Sequence, residues 1–298
     1  MKRKIIKIIL FLLVGLTVFS FWMSPRLGGI IPMGKESPDQ NVEKLQFDTV
    51  TIGKYKLEYK DLSNDSNLTK LRNEYKLDTL ILDCKTEFEK VVKVQSWVQS
   101  RWKHDGDNRP EKDDALYILK EAEKGKRFRC VEYGTVTKQC LASLGLKIRT
   151  LGLMTKDIDD VKSGAGHVVN EVYLKDLKKW IFIDPQWDII TISDSIPLSA
   201  IELQDCISSN KYFDIVNPNN TTTKEEYKKW IGPYLYFFTI TINNQKLTIW
   251  DRIIGNKKQL TLLPIGATEP KYFQKIMRIN TTYFTNSTKD FYPTINEQ

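Results

Sequence analysis

The stretch from Phe128 to Asp188 limits this chain more than any other. Its apolar pattern changes there from helix-type to strand-type, and each element carries one chemistry-bearing side chain at an end. It reads Phe128-Arg129-Cys130-Val131-Glu132-Tyr133-Gly134, then Gly166-His167-Val168-Val169-Asn170-Glu171-Val172-Tyr173, then Trp180-Ile181-Phe182-Ile183-Asp184-Pro185-Gln186-Trp187. Tyr133, Val136, Cys140 and Leu144 make an apolar stripe at helical spacing, and Gly145 supplies a C-terminal stop. Cys130 thus opens a helix, while Cys140 lies on the buried stripe and reads as a small core hydrophobe. His167 starts one strand and Asp184 ends the next. A thiol, an imidazole and a carboxylate are the parts of a nucleophile, its base and an orienting group.

The position of Cys130 matters because a thiol attacks well only as thiolate. Unpaired N–H groups and the dipole at a helix N-terminus favour negative charge there. The same N–H groups can donate to an oxyanion that forms on a substrate carbonyl. The two strands read as an antiparallel hairpin. The register that centres its turn on Lys175 and Asp176 sets His167 directly opposite Asp184, within hydrogen-bonding reach. A one-residue slip would turn Asp184 to the other face.

The remaining chain frames this centre. Lys2-Arg3-Lys4 precedes an uncharged, apolar-rich run of 16 residues, Ile8 to Met23. That run is long for a signal-peptide core and short for a comfortable span, which needs about 20 residues. Residues 1–23 are therefore expected to be a signal peptide or an N-terminal membrane anchor, either of which sends the body of the protein out of the cytoplasm. Of the net charge of +8, five positive charges fall before Gly34. The remainder is dispersed, with no arginine-rich or aromatic-interleaved run, and argues against nucleic-acid binding. Residues 24–44, rich in Pro and Gly, read as a linker. Leu45–Tyr59 reads as a strand or hairpin, and Asn64–Asn67 as a polar turn. Thr86-Glu87-Phe88-Glu89 is a capping box that opens a helix, on which Phe88, Val91, Val92, Val98 and Trp102 share a core face. A shorter helix is expected over Asp114–Ala122, a strand over Leu146–Met154, and a helix over Leu198–Ile207, followed by a polar stretch from Asn217 to Glu226. In the aromatic last third, Tyr234–Ile242 reads as a strand, with Asn243-Asn244 turning into a partner over Lys246–Trp250. Four cysteines permit one disulfide, and the Cys84–Cys206 pairing would leave Cys130 free. With no CxxC and two histidines, a zinc site is not expected.

The three blocks, in this order and spacing, resemble the transglutaminase-like cysteine superfamily over about Leu71 to Trp187. The resemblance includes the Trp97-to-Arg101 helix and the Trp102-Lys103-His104-Asp105-Gly106 turn. It implies an α+β, papain- or transglutaminase-like core in which a helix carrying the cysteine packs on an antiparallel sheet carrying the histidine and aspartate. By that resemblance Cys130 is the nucleophile, His167 the base and Asp184 the third triad member, acting on amides of peptides or proteins by hydrolysis or acyl transfer, with no required cofactor; the N-terminal segment points to substrates of the cell envelope. Trp102 and His104 are candidates for oxyanion or cleft support. Two departures stand out: Val168-Val169 replaces the usual aromatic after the histidine, and Arg127-Phe128-Arg129 precedes the cysteine where a glycine is more common. The expected organisation is a catalytic domain over residues 45–192 and a C-terminal α/β extension over 193–298, antiparallel and β-rich. A non-catalytic peptide- or glycan-binding module on the same fold is the alternative.

Overall fold

A computed structural model describes residues 42–52, 55–59, 61–293 and 295. The expected signal peptide or anchor at 1–23, and the expected linker up to residue 41, lie outside the described residues. No helix among the described residues is long and apolar enough to cross a membrane.

Five helices come first: α1 (Ser66–Glu74), α2 (Leu77–Leu80), α3 (Glu87–Gln99), α4 (Ala115–Glu123) and α5 (Cys130–Ser143). The capping box at Thr86 forms as the sequence implies. The Thr86 hydroxyl accepts from the Glu89 N–H, and the Glu89 carboxylate accepts from the Thr86 N–H. Such a cap stabilises a helix start by about 1 kcal/mol. The expected turn at Asn64–Asn67 is shorter than anticipated. Asp65 caps the backbone N–H groups of Asn67 and Leu68, and α1 starts at Ser66.

The strands β1 (Lys147–Met154), β2 (Gly166–Leu174), β3 (Lys179–Asp184), β4 (Ile189–Ser193) and β5 (Ile196–Pro197) follow as an antiparallel series. Helix α6 (Ala200–Ser208), strand β6 (Asp214–Val216) and helix α7 (Lys224–Ile231) lead to β7 (Phe237–Thr241), α8 (Ile249–Ile254) and β8 (Gln259–Leu262). The chain closes with β9 (Tyr272–Phe273), β10 (Met277–Arg278), β11 (Thr282–Thr285) and α9 (Thr288–Phe291). The large sheet has the order β11-β8-β7-β1-β2-β3-β4-β5, with β6 beside β4.

Both faces of this sheet are covered, which is why β3 reads as the continuous apolar run Trp180-Ile181-Phe182-Ile183 instead of alternating. Val172, Ile181 and Ile183 pack with the helices α1 to α5 in one core. Val169, Phe182, Leu151 and Leu153 face a second core built with α6, α7, Phe238 and Phe291. Gly134 lets α5 lie against the first face, since a Cβ there would meet the Val168 methyl at 3.2 Å and the Asn170 Oδ1 at 3.5 Å.

Three expectations are corrected. The β2–β3 register pairs Asn170 with Ile183 and Leu174 with Lys179, so the turn centres on Asp176 and Leu177. This is two residues from the expected register, because the loop spans Lys175 to Lys178 and closes through Lys178 in a left-handed conformation (φ 50°). Second, the described residues of Leu45–Tyr59 enter no ladder. The segment makes one isolated bridge, Asp48 with Ser287, where the Asp48 N–H donates to the Asn286 carbonyl, and the N–H groups of Val50, Ile52 and Glu58 go to side chains. Its Leu45, Phe47, Tyr55 and Leu57 pack against the second core while Val50 and Ile52 stay exposed, so side-chain packing, in place of a ladder, holds the segment.

Third, Lys246–Trp250 is not a returning strand. Asn243 and Asn244 do take the left-handed turn conformation. The Thr248 hydroxyl and Asp251 carboxylate then form a capping box that starts α8, and β8 becomes the partner of β7. The Cys84–Cys206 pairing, which the sequence permits without requiring, is not made, and both are free thiols. The last third also joins the sheet edge-on, through the antiparallel β1–β7 pairing, and one of its pairings, β8 with β11, is parallel.

Candidate active site

Cys130 is the first residue of α5, His167 the second of β2 and Asp184 the last of β3. The start of one strand and the end of its antiparallel neighbour lie at the same end of the sheet, and α5 begins there too. The register shift leaves the pair intact for a physical reason. Asp184 now faces the position of Val169, and His167 lies two residues away on the same side, so a shift of two conserves the face where a shift of one would lose it. The pair therefore meets diagonally. His167 Nε2 and Asp184 Oδ2 are 2.8 Å apart, with both side chains buried.

That bond leaves Nδ1 as the free ring nitrogen, and the Cys130 side chain is the imidazole's other hydrogen-bonding neighbour. Burial disfavours a charged His167, but the charge and hydrogen bond of Asp184, together with Cys130, outweigh it and raise the imidazole to about 9. Cys130 is only partly buried, so the thiol is the member of the trio that opens toward solvent. The first backbone bonds of α5 run from the Glu132 and Tyr133 N–H groups to the Arg129 carbonyl. The N–H groups of Cys130 and Val131 precede them, at the positive end of the helix.

Arg129, where a glycine was the commoner expectation, has a clear local role. Its N–H and guanidinium donate to the Glu132 carboxylate, at 3.0 Å and 2.6 Å, and neutralise a buried acid two residues after the thiol. Trp102 is buried, with Phe128 at 5.9 Å edge-on and Tyr133 at 4.4 Å between ring centroids, and its carbonyl accepts from the Tyr133 hydroxyl. It braces the entry to α5. His104 lies at the exposed rim, in a bridge with Phe128. Desolvation and the neighbouring His167 lower its titration, so it is within electrostatic reach of the trio.

The sequence reading missed the cover over the pair, which comes from the last third. The Tyr227 hydroxyl donates to Asp184 Oδ2 at 3.0 Å, and the Gln186 N–H donates to Oδ1 at 3.1 Å, so both carboxylate oxygens are engaged. Burial and the Asp184 charge push the Tyr227 phenol far above its ordinary range. Trp230 sets its ring against His167 at 4.7 Å and 82°, and Tyr234 and Trp187 complete an aromatic wall. A signal was present: Tyr227, Trp230, Ile231 and Tyr234 lie at helical spacing behind Thr223 and Glu226, which form a capping box. Gly166 leaves room for the Phe273 ring, which a Cβ there would meet at 2.7 Å and push aside.

The sequence model of the family described as the Transglutaminase-like superfamily matches residues 76–185. No curated protein matches the chain significantly. Among solved structures, a protein described as a proposed cysteine protease from Cytophaga hutchinsonii is similar at 12% identity, TM-score 0.34, over 58% of this chain and 55% of that one. A structure described as a TGase is similar at 19% identity, TM-score 0.29, over 42% of this chain and 31% of the other. Red sea bream transglutaminase is similar at 15% identity, TM-score 0.28, over 48% and 28%. The chain spans about half, or less, of the length of these structures.

Proposed function

We propose that this chain, whose residues 76–185 form a transglutaminase-like superfamily domain on an α+β core, is a cysteine enzyme that acts on amide bonds of peptides or proteins. Cys130 attacks the amide carbonyl, and the N–H groups of Cys130 and Val131 receive the developing oxyanion. His167, in its charged form, holds the proton it shares with the thiol and delivers it to the departing amine, and a thioester on Cys130 remains. Water, or a second amine, then attacks the thioester and restores the thiol. Asp184 holds the imidazole in one tautomer and stabilises its charged form. The observation that carries this reading is the buried 2.8 Å His167–Asp184 contact beside a thiol at a helix N-terminus.

Hydrolysis is favoured over transfer, because water is always available as acceptor. The basic start and apolar run at residues 1–23 support action outside the cytoplasm, on cell-envelope peptides. The test incubates the protein with glutamine-containing and other peptides, with and without a fluorescent primary amine. Mass spectrometry then follows the thioester on Cys130, peptide cleavage or deamidation, and amine incorporation. Hydrolysed product without amine incorporation is the expected result. Amine incorporation would make the protein a transferase, and no adduct on Cys130 with any peptide would remove the enzymatic reading.

A further inference from the structure

The helix α8 is built inside out. Its one buried side chain is Asp251, which accepts from the Thr248 N–H and hydroxyl, from Asn256 Nδ2 at 2.8 Å and from Lys258 Nζ at 3.0 Å. Its apolar residues point the other way: Ile249, Trp250, Ile253 and Ile254 are between 64% and 72% exposed. The β9–β10 hairpin adds to the same face. Arg252 bonds to Met277 and accepts at its carbonyl from Asn280, so α8 and the hairpin adjoin, and Ile276 at the hairpin tip is 80% exposed. The hairpin is anchored by Lys271 and Tyr272 N–H bonds to Asp159 and by Gln274, which bonds to Ile158, Lys162 and Ala165, so the Ile276 side chain is held exposed on a fixed hairpin.

Charge identifies what covers this face. From Gln245 to Tyr283 there are seven Lys and Arg against two acids, a net +5, and one of those acids is the buried Asp251. With the +5 before Gly34 and +8 overall, the rest of the chain is net −2. Arg252, Lys257, Lys275 and Arg278 lie on or next to these two elements in the chain. Lys257 and Arg278 also line a cleft beside them, with Tyr55 and Tyr283. A second copy would bring +5 against +5, whereas an anionic surface with an apolar interior satisfies both features.

We propose that the face made by α8 and the β9–β10 hairpin docks on an anionic lipid bilayer, its isoleucines and Trp250 entering the interface and its cations contacting headgroup phosphates. This surface is independent of the thiol chemistry. It is tested on the full chain by hydrogen exchange with phosphatidylcholine vesicles and with vesicles that also contain phosphatidylglycerol. The N-terminal segment, itself +5, is present in every arm, so the readout is local exchange at the face and its loss in variants of that face.

With phosphatidylglycerol, exchange at residues 249–254 and 275–278 is expected to slow about tenfold, and phosphatidylcholine alone should leave it unchanged. Replacing Lys257 and Arg278 by Gln should weaken the effect about fivefold per charge. Trp250→Ser with Ile253→Ser should abolish it, with turnover unaltered. No protection with phosphatidylglycerol, or equal protection with phosphatidylcholine, overturns the proposal. So does protection that grows with protein concentration in the absence of vesicles, the mark of a second copy.

Discussion

Two buried ion pairs lie on the same side of β2, four residues apart, and they differ in what surrounds them. Arg149 and Glu171 face each other directly across β1 and β2, with guanidinium–carboxylate distances of 2.9 Å and 2.7 Å. The guanidinium is sandwiched by Trp180, Phe291 and Tyr292 and also donates to Tyr59 and to the Phe291 carbonyl. Glu171 accepts further from Tyr292 and the Ala200 N–H. This closed cluster clamps the two ends of the described chain to the middle of the sheet. His167 and Asp184 meet diagonally at the sheet's end, and their carboxylate is as fully satisfied, but the imidazole keeps one nitrogen beside a thiol that reaches solvent. Among buried charges on one strand, a free nitrogen at the strand's end separates a site from a clamp.

The largest expected effect falls on the open pair. Cys130→Ala abolishes turnover, and His167→Ala or Asp184→Asn lowers it by about 10⁴-fold while the protein stays folded, as checked by kinetics alongside circular dichroism. Because the folded imidazole titrates near 9 and not at 6.5, turnover in the wild type should fall as the pH rises through about 9. The sign for stability is the same. The charged His167 contributes fully below about 6.5 and loses that contribution as the pH passes about 9, which urea titrations across this window will show.

The closed pair should respond in the opposite manner. Glu171→Gln leaves a buried guanidinium uncompensated and is expected to destabilise the protein by about 3–5 kcal/mol, with turnover per folded molecule unchanged. Arg149→Met combined with Glu171→Leu should cost less than either alone. A folded Glu171→Gln protein that has lost activity would break the distinction. Smaller again is Tyr227→Phe, which removes one hydrogen bond from a charged acceptor and should slow turnover about tenfold with the fold retained. His104→Gln, at the rim, is expected to change turnover by about twofold at most, measured under the same conditions.

How much of this was legible in the residues depended on how local each signal was. The start of α3 at Thr86, the opening of α5 at Cys130 and the stop at Gly145 are set within a few residues, and all appear as read. The face shared by His167 and Asp184 was also readable, because parity survives a register error of two. The register itself was not, since it turned on Lys178 adopting a left-handed conformation that lysine seldom takes. Tyr227, Trp230 and Tyr234 were missed because their role exists only once α7 returns over β3, more than forty residues after Asp184. Thr248 and Asp251 likewise outweighed a strand-like run through a polar cap that alternation does not register.

The most direct measurement is the alkylation rate of Cys130 by iodoacetamide near neutral pH, followed at peptide level, with the partly exposed Cys84 as internal reference. The account predicts that Cys130 reacts well ahead of Cys84 in the wild type and loses that advantage in His167→Ala, while the Cys84 rate stays fixed. Equal Cys130 rates in the two proteins would contradict it.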